Sequence, residues 1–362
     1  MEMEDIVASA REGTARAKRG HRGRRLLTGI TGAFLSAVLA GIFLLYGPFP
    51  YFRSLWVNTA METMNHRWLA GLLFDSKTVA SIRARSTPKT PNENTNPAMV
   101  TVNSGGTSSR VPADNATTLP ASPADGEHII HGVGFIRLRN NSLKGDSFNG
   151  WLVKVYDPTR VTLGLSSNFG KSGEHITSMT TRTGSFLGIN AGGFVDVDGH
   201  GNGGTPDKIL IANHKQLAGG HDSALHDIIG MDDSSRLILG QYTQTELTAR
   251  NFRYAVEFSP FLIVNGKLSD VSGSGIQPRT AIGQRKDGTI LFVIIDGRSL
   301  SSPGATWADV QKIMEENGAV NAANLDGGSS TVLAYEGKLV NVPSSPYGER
   351  YLPDAFLVSY GK

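Results

Sequence analysis

The pattern of hydrophobic and polar residues divides the chain into two unlike parts. Residues 26–46 are 21 consecutive positions without a charge, which as a helix would span about 30 Å, the hydrocarbon thickness of a membrane. From about residue 127 to residue 362, short apolar runs alternate with glycine-rich and polar turns. This second pattern predicts many short strands and few helices, and therefore an α+β domain with a mixed or antiparallel sheet.

The apolar runs of this second part locate its elements. The best helix is predicted at 306–317, because Thr306 can cap it and Gly318 can end it. Two further helices are predicted at 174–181 and 245–251. The predicted strands are 151–156, 161–165, 186–190, 208–212, 236–239, 254–258, 261–264, 280–283, 289–296, 331–335, 338–340 and 355–359.

The first 126 residues change composition several times. Residues 1–25 hold seven of the 35 basic residues and four of the 32 acids, so they form a basic tail that is expected to stay in the cytoplasm. The 26–46 run is then a single-pass membrane anchor, with the C-terminal domain outside the cell; a signal peptide cleaved near Val38 and Ala40 is the alternative. Residues 47–85 are predicted as a juxtamembrane segment, and 86–126, rich in Thr, Pro, Asn and Ser, as a disordered spacer.

Charge and cysteine content exclude several classes of protein. After residue 25 the basic and acidic residues balance at 28 each, so no electrostatic footprint for a nucleic-acid partner is expected. The chain has no cysteine, which excludes disulfides, thiol nucleophiles and Cys-ligated metals.

Four glycine-rich segments follow predicted strands and carry the polar residues of a candidate site. Adjacent glycines let backbone N–H groups approach an anion without obstruction from a Cβ atom. The segments bring together two arginines, two aspartates, two asparagines and two serines. They are 188–194 (GINAGGF), 278–283 (PRTAIG), 295–298 (IDGR) and 324–330 (NLDGGSS).

These segments, with Gly-Ala-Thr at 304–306 and Gly-Glu-Arg at 348–350, resemble the phosphodiester glycosidase family in their order and spacing. The resemblance covers about 151–360, although the family more often has Gly where Ala191 stands. The anchor and spacer look like those of bacterial cell-envelope members. The resemblance implies hydrolysis of a sugar 1-phosphodiester at the anomeric carbon, in envelope or exopolysaccharide glycans. A non-catalytic polysaccharide-binding or assembly module on the same scaffold is the alternative.

Residue chemistry assigns roles within that reaction. Arginines pair bidentately with phosphate, and a carboxylate must act as nucleophile or as base for water. Asp326, Glu349 and Asp296 are the catalytic candidates, in that order. The candidates for binding phosphate or sugar are Arg279, Arg298, Arg350, Asn190, Gly192, Gly193, Gly327, Gly328, Ser329, Ser330 and Thr306.

A required cofactor is not predicted, but one loop contains residues that could bind a metal ion. Asp196 and Asp198 stand at the first and third positions of a partial calcium loop, which lacks the usual bidentate glutamate. Calcium bound there is the alternative to a glycine-rich loop beside the site. A dinucleotide site on the same glycines is rejected, because no helix can follow them. A serine hydrolase is disfavoured, since the serines lack the Gly-x-Ser-x-Gly motif.

Overall fold

The computed structural model describes residues 30–62, 67–102, 111–140, 147–196, 201–220 and 224–361. The chain divides into two compact units, Met1–Ser54 and Leu55–Lys362. The helices of the N-terminal region are α1 (Ile30–Tyr46), α2 (Pro50–Met61), α3 (Trp68–Leu73) and α4 (Ser76–Arg85).

Among the described helices, none by itself has both the length and the apolar composition of a membrane span. The helices α1 and α2 have both when taken together, with a bend of 95° between them. The single-pass anchor at 26–46 is therefore not confirmed, and its first four residues, like the basic tail, lie outside the described residues.

The second unit is an α+β domain in which all strand pairs between described residues are antiparallel. Besides α3, α4 and the C-terminal part of α2, its described helices are α5 (Ile176–Thr183), α6 (Gln244–Arg250) and α7 (Trp307–Glu316). Its strands are β1 (Glu127–Ile130), β2 (Val133–Asn140), β3 (Phe148–Val155), β4 (Val161–Leu165), β5 (Ser185–Asn190), β6 (Leu210–Ala212), β7 (Lys215–Ala218), β8 (His226–Met231), β9 (Leu237–Tyr242), β10 (Tyr254–Glu257), β11 (Phe261–Val264), β12 (Lys267–Leu268), β13 (Arg279–Arg285), β14 (Ile290–Ile295), β15 (Ala319–Asn324), β16 (Leu333–Tyr335), β17 (Lys338–Leu339) and β18 (Asp354–Ser359).

Three sheets surround one main core. Their strand orders are β1-β2-β3-β14-β13-β15-β11-β12, β7-β6-β10-β8-β9 and β17-β16-β5-β18-β4. Leu239, Phe292 and Phe356, one from each sheet, are buried in the same hydrophobic cluster. The three sheets therefore share one hydrophobic core. The glycine-rich segments that follow β5 and β15 lie beside each other at one cavity.

The helix caps and hairpin turns follow the sequence. Thr306 caps α7 and forms a capping box with Asp309, as the sequence predicted. Asn265 and Gly266 both have positive φ, at 53° and 74°, which is the backbone that a two-residue hairpin turn requires. The predicted α+β class and the antiparallel sheets are thus confirmed.

The residues predicted as a disordered spacer pack against the domain where the structure describes them. The backbone of Lys89 pairs with that of Asp270, and the Asn94 and Thr95 side chains accept N–H groups of β9. Further along, Asp114 accepts the N–H groups of the β1–β2 turn. Polar side chains replace the missing large apolar residues here, because each one satisfies a backbone group at a sheet edge or turn. The structured unit consequently begins near residue 55 and not at 127.

Thr95→Val is expected to lower the free energy of unfolding by about 1–3 kcal/mol, because it leaves a buried N–H group without an acceptor. The Thr95 hydroxyl accepts the Leu239 N–H at 3.0 Å, and Thr95 is 4% exposed. Urea unfolding of the full-length protein measures the change, with Thr87→Val, at an exposed hydroxyl, as the neutral control. Equal stability of the two variants would mean that the 86–102 segment is not bound to the domain.

Candidate active site

A cavity of about 490 Å³ lies where β13, β15 and the loop after β5 come together. The segments 188–194, 278–283, 295–298 and 324–330 each contribute to it, as does the 348–350 triplet. Its described lining residues are Glu62, Arg83, Gly193, Phe194, Asp196, Asp207, Phe258, Ser259, Gln277, Arg279, Arg298, Trp307, Asn324, Asp326, Gly327, Gly328, Ser329, Ser330, Ser345, Pro346, Tyr347 and Arg350.

Arg279, at the start of β13, is the most deeply held of the predicted phosphate ligands. Its side chain is 1% exposed and donates to the carbonyl groups of Ala305 and Gly275. The guanidinium carbon lies 5.0 Å from the ring centre of Trp307. Its Nη2 also donates to Glu62 at 3.1 Å. Arg279 is therefore fixed in position before any ligand arrives.

Arg298 and Arg350 line the same cavity from other loops. Arg298 has a left-handed backbone, with φ at 60°, and its Nη1 donates to the Ser329 hydroxyl at 3.0 Å. Arg350 donates to Asp196 at 3.0 Å and lies over the ring of Phe194. The structure thus brings together three arginines that are up to 71 positions apart in the sequence.

Asp326 is the predicted catalytic acid that lines the cavity. Its N–H donates to Ala191 O at 3.1 Å, and its carbonyl accepts the Asn190 side chain, so the loop after β5 holds its backbone on both sides. Burial raises the pKa of Asp326 to about 7, while hydrogen bonding from Ser330 works in the opposite direction. Both protonation states of this carboxyl are consequently populated near neutral pH.

Two further carboxyls flank the glycine pair that follows β5. Asp354 is 1% exposed, and its Oδ1 accepts the Gly192 N–H at 2.6 Å. A Cβ atom at Gly193 would lie 2.9 Å from Asp207 Oδ1, so that position has little room for a side chain. Burial raises the pKa of Asp207 and raises that of Asp354 to about 7. Together with Asp326 they form a group of carboxyls whose charges disfavour one another.

Stability should fall as the Asp354 carboxyl ionises. Its folded-state pKa of about 7 lies above the ordinary value of 3.8, so its contribution to stability is lost as pH rises from about 4 to about 7. Asp354→Asn keeps an acceptor for Gly192 and removes the ionisation. We expect its melting temperature to exceed that of the wild type by about 2–4 °C at about pH 8 and to equal it at about pH 4. A pH-independent difference would contradict this.

Two of the predicted acids have structural partners away from the cavity lining. Glu349 accepts the backbone N–H and the hydroxyl of Thr177 at the start of α5, where a carboxylate stabilises the helix N-terminus. Asp296 accepts the Asn341 side chain and the Val342 N–H. The structure therefore does not bring either carboxylate into the described cavity lining, and their catalytic roles stay predictions.

Three predicted binding residues have internal partners. The Asn190 side chain is hydrogen-bonded to Asp326, Thr280 and Val332, Thr306 caps α7, and the Gly192 N–H donates to Asp354. These three are outside the described cavity lining, whereas the predicted residues Gly193, Gly327, Gly328, Ser329 and Ser330 belong to it.

The calcium alternative finds no support among the residues that the structure describes. Asp196 forms an ion pair with Arg350 and accepts the Gly201 N–H, while Asp198 lies outside the described residues. No group of three or more His, Cys, Asp or Glu side chains there has the geometry for a metal.

The sequence reasoning missed Glu62, Asp207, Trp307 and Asp354. Glu62 lies in a segment assigned to the membrane interface, and Asp354 is the first residue of a plain strand with no neighbouring glycine. Trp307 shares one face of its helix with apolar residues, a pattern that does not distinguish a cavity residue from a core residue. Asp207 stands at the twelfth position of the partial calcium loop, and this place is the one signal available for it.

The C-terminal part of the chain matches the model of a known protein family. Residues 183–359 match the model of the phosphodiester glycosidase family, so this region of the chain is recognised as a phosphodiester glycosidase domain and the resemblance found in the sequence is confirmed for it.

Two individual proteins illustrate the likeness. The SPbeta prophage-derived uncharacterized protein YomE of Bacillus subtilis (strain 168) is 32% identical over 221 residues, which are 57% of this chain and 32% of that protein. The chain therefore spans about a third of the length of this relative. The catalytic domain of zebrafish N-acetylglucosamine-1-phosphodiester alpha-N-acetylglucosaminidase, auto-inhibited by pro-peptide, is similar with a TM-score of 0.53 at 19% identity, over 63% of this chain and 82% of that one. At this identity the likeness shows the fold.

Proposed function

We propose that the protein hydrolyses sugar 1-phosphodiesters by breaking the bond between the anomeric carbon and the phosphate oxygen. The observation that supports this most is the joint presence of Arg279, Arg298, Arg350 and Asp326 around one cavity. Guanidinium groups bind phosphate oxygens, and a carboxylate stabilises or attacks the positively charged anomeric carbon in glycoside hydrolysis.

The arginines suit the leaving group of this reaction. When the bond between C1 and oxygen breaks, a phosphate monoester departs, and its second pKa is about 6. Such a group leaves as an anion without full protonation, so neighbouring cations can do much of the work that a general acid does in an ordinary glycosidase. Arg298 and Arg350 stand on separate loops and can hold the phosphate from two sides.

Asp326 is proposed as the carboxylate that attacks C1 or activates the water that does so. In either case the oxygen of water ends on C1, one proton of water is lost to the solvent or to the departing phosphate, and the phosphate keeps its own oxygens. Asp207 lines the same cavity and is the second acid available for proton transfer.

The cellular setting is proposed from the N-terminal sequence. The uncharged 26–46 run and the basic residues before it support a single-pass anchor with a cytoplasmic N-terminus. The glycosidase domain would then lie outside the cell, and its substrates would be phosphodiester-linked sugars of the envelope or of exopolysaccharides.

Incubation of the purified full-length protein with UDP-N-acetylglucosamine or a phenyl phosphodiester of N-acetylglucosamine tests the activity. We expect free N-acetylglucosamine with an equal amount of UDP or of phenyl phosphate, respectively, and release about a thousandfold slower by the Asp326→Asn variant. Tight binding of the substrate without release of sugar would instead support the non-catalytic binding module.

A further inference from the structure

We propose, on the basis of the function proposed above, that Glu62 makes the cavity prefer a singly charged phosphodiester over a doubly charged phosphate monoester. Glu62 follows α2 and lies outside the 183–359 region that matches the glycosidase family. The preference would favour the substrate over the phosphate monoester that the reaction releases.

The end of α2 is attached to the loop before β13 by polar contacts. The Asn58 side chain donates to Gly273 O, the Thr59 hydroxyl accepts the Ile276 N–H at 3.0 Å, and Glu62 Oε1 accepts the Gly275 N–H at 3.1 Å. Three side chains on one side of the helix end therefore fix its position against the cavity.

Glycines in this loop provide the space for the contact. A Cβ atom at Gly275 would lie 2.4 Å from Thr59 N, and one at Gly273 would lie 2.4 Å from Ser86 Cα. Such distances are shorter than any non-bonded contact that real side chains make. The loop sequence thus permits the N-terminal segment to come close to the site.

The carboxylate of Glu62 faces the deepest arginine. Glu62 Oε2 lies 3.1 Å from Arg279 Nη2, and the two side chains are 9% and 1% exposed. Because the pair is shielded from water, each charge is felt by the other and by a ligand in the cavity more strongly than it would be at a surface. Glu62 therefore removes most of the attraction that Arg279 alone would exert on an anion.

The charges of the cavity nearly balance when Glu62 is present. Its described lining contains four arginines, namely Arg83, Arg279, Arg298 and Arg350, and four acids, namely Glu62, Asp196, Asp207 and Asp326. Because the pKa of Asp326 is about 7, the formal charge near neutral pH lies between zero and +1. At about pH 8, where Asp326 is mostly ionised, this charge is close to zero, so the cavity as a whole attracts an anion weakly. A phosphate monoester with nearly two negative charges then loses more by leaving water than a phosphodiester with one.

Removing the Glu62 charge should help a dianion more than a monoanion. The Coulomb energy is proportional to the ligand charge, so the gain in affinity for a dianion is the square of the gain for a monoanion. We expect Glu62→Gln to lower the dissociation constant of dimethyl phosphate about threefold and that of methyl phosphate about tenfold at about pH 8, where methyl phosphate is a dianion.

Titration calorimetry of the full-length protein with these two ligands measures the effect, and Thr59→Val is the matched control. That variant removes a neutral contact of the same helix end and should leave both constants unchanged. Equal improvement for both ligands would show that Glu62 only occupies space, and weaker binding of both would show that it only positions Arg279; either result overturns the proposal.

The wild type provides a test that does not depend on the folding of a variant. Methyl phosphate should bind no more tightly than dimethyl phosphate, and a tenfold preference for methyl phosphate would overturn the proposal. Calorimetry measures binding and requires no turnover, so the charge preference set by Glu62 and the proposed hydrolysis are tested independently. Absence of sugar release refutes the hydrolase, whereas hydrolysis with no charge preference refutes only the role of Glu62.

Discussion

Asp326→Asn is expected to lower kcat by about three orders of magnitude, the middle of the range for a group that transfers a proton in the transition state. Asparagine has nearly the same shape and can accept the hydrogen bonds from Ser330 and Gly327 that the carboxylate receives. It cannot supply the negative charge or accept the proton. The KM for the phosphodiester should change little, because the arginines that bind phosphate are untouched.

The stability of this variant separates a catalytic role from a structural one. The pKa of Asp326 is raised to about 7 from 3.8, so its ionisation costs stability as pH rises between these values. Asp326→Asn should therefore be at least as stable as the wild type at about pH 8. A lower melting temperature with proportional loss of active protein would mean that Asp326 only supports the turn after β15.

Arg298→Met is expected to lower kcat/KM for a sugar phosphodiester by about a hundredfold, since it removes one donor to the departing phosphate. Arg298 reaches the cavity through its contact with Ser329, and methionine has a similar length without the charge. The same variant should lose less than about threefold on an aryl glycoside of N-acetylglucosamine, whose leaving group has no phosphate. Steady-state kinetics on both substrates measure the difference.

The comparison of the two substrates identifies the part of the reaction that Arg298 serves. Ser344→Ala is a suitable control, because it removes only the 3.4 Å contact of Arg298 Nη1 with the Ser344 hydroxyl and leaves the charge in place. Equal losses on both substrates would show that Arg298 shapes the cavity and does not bind the leaving phosphate.

Much of the fold could be predicted because alternating and apolar runs specify strands directly. Each predicted strand overlaps an observed one, and α7 matches the prediction to within one residue at each end. The strands β1, β2, β7, β8, β12 and β15 were not predicted. The strand β15 has the sequence Ala-Val-Asn-Ala-Ala-Asn, with few large apolar residues. It lies between β13 and β11 in the sheet, where small side chains fit and the neighbouring strands supply the hydrogen bonds.

The site residues that have a signal in their own stretch of sequence could be predicted. The roles that depend on a partner far away in the sequence could not. Arg279, Arg298, Arg350 and Asp326 all stand beside glycines or turns, and the structure places them around one cavity. Glu349 carries the same local signal, yet it contacts Thr177 at the start of a helix, a partner that no spacing in the sequence reveals.

Residues 86–126 show that amino-acid composition alone does not predict whether a segment packs against the rest of the protein. Residues 86–126 have too few apolar residues to fold alone, and the disordered spacer was predicted on that ground. In the structure Asn94 and Thr95 instead pair with β9, so the domain supplies the partners that the segment lacks. The same holds for Glu62, whose role depends on Arg279.

Hydrolysis in heavy-oxygen water tests the central claim most directly, since it reports which bond breaks. The full-length protein is incubated with a phenyl phosphodiester of N-acetylglucosamine, and the phosphate monoester is analysed by mass spectrometry. Cleavage between the anomeric carbon and oxygen leaves the phosphate unlabelled, and this is the result we predict. Heavy oxygen in the phosphate would show attack at phosphorus, and would contradict a glycosidase built on Asp326 and the three arginines.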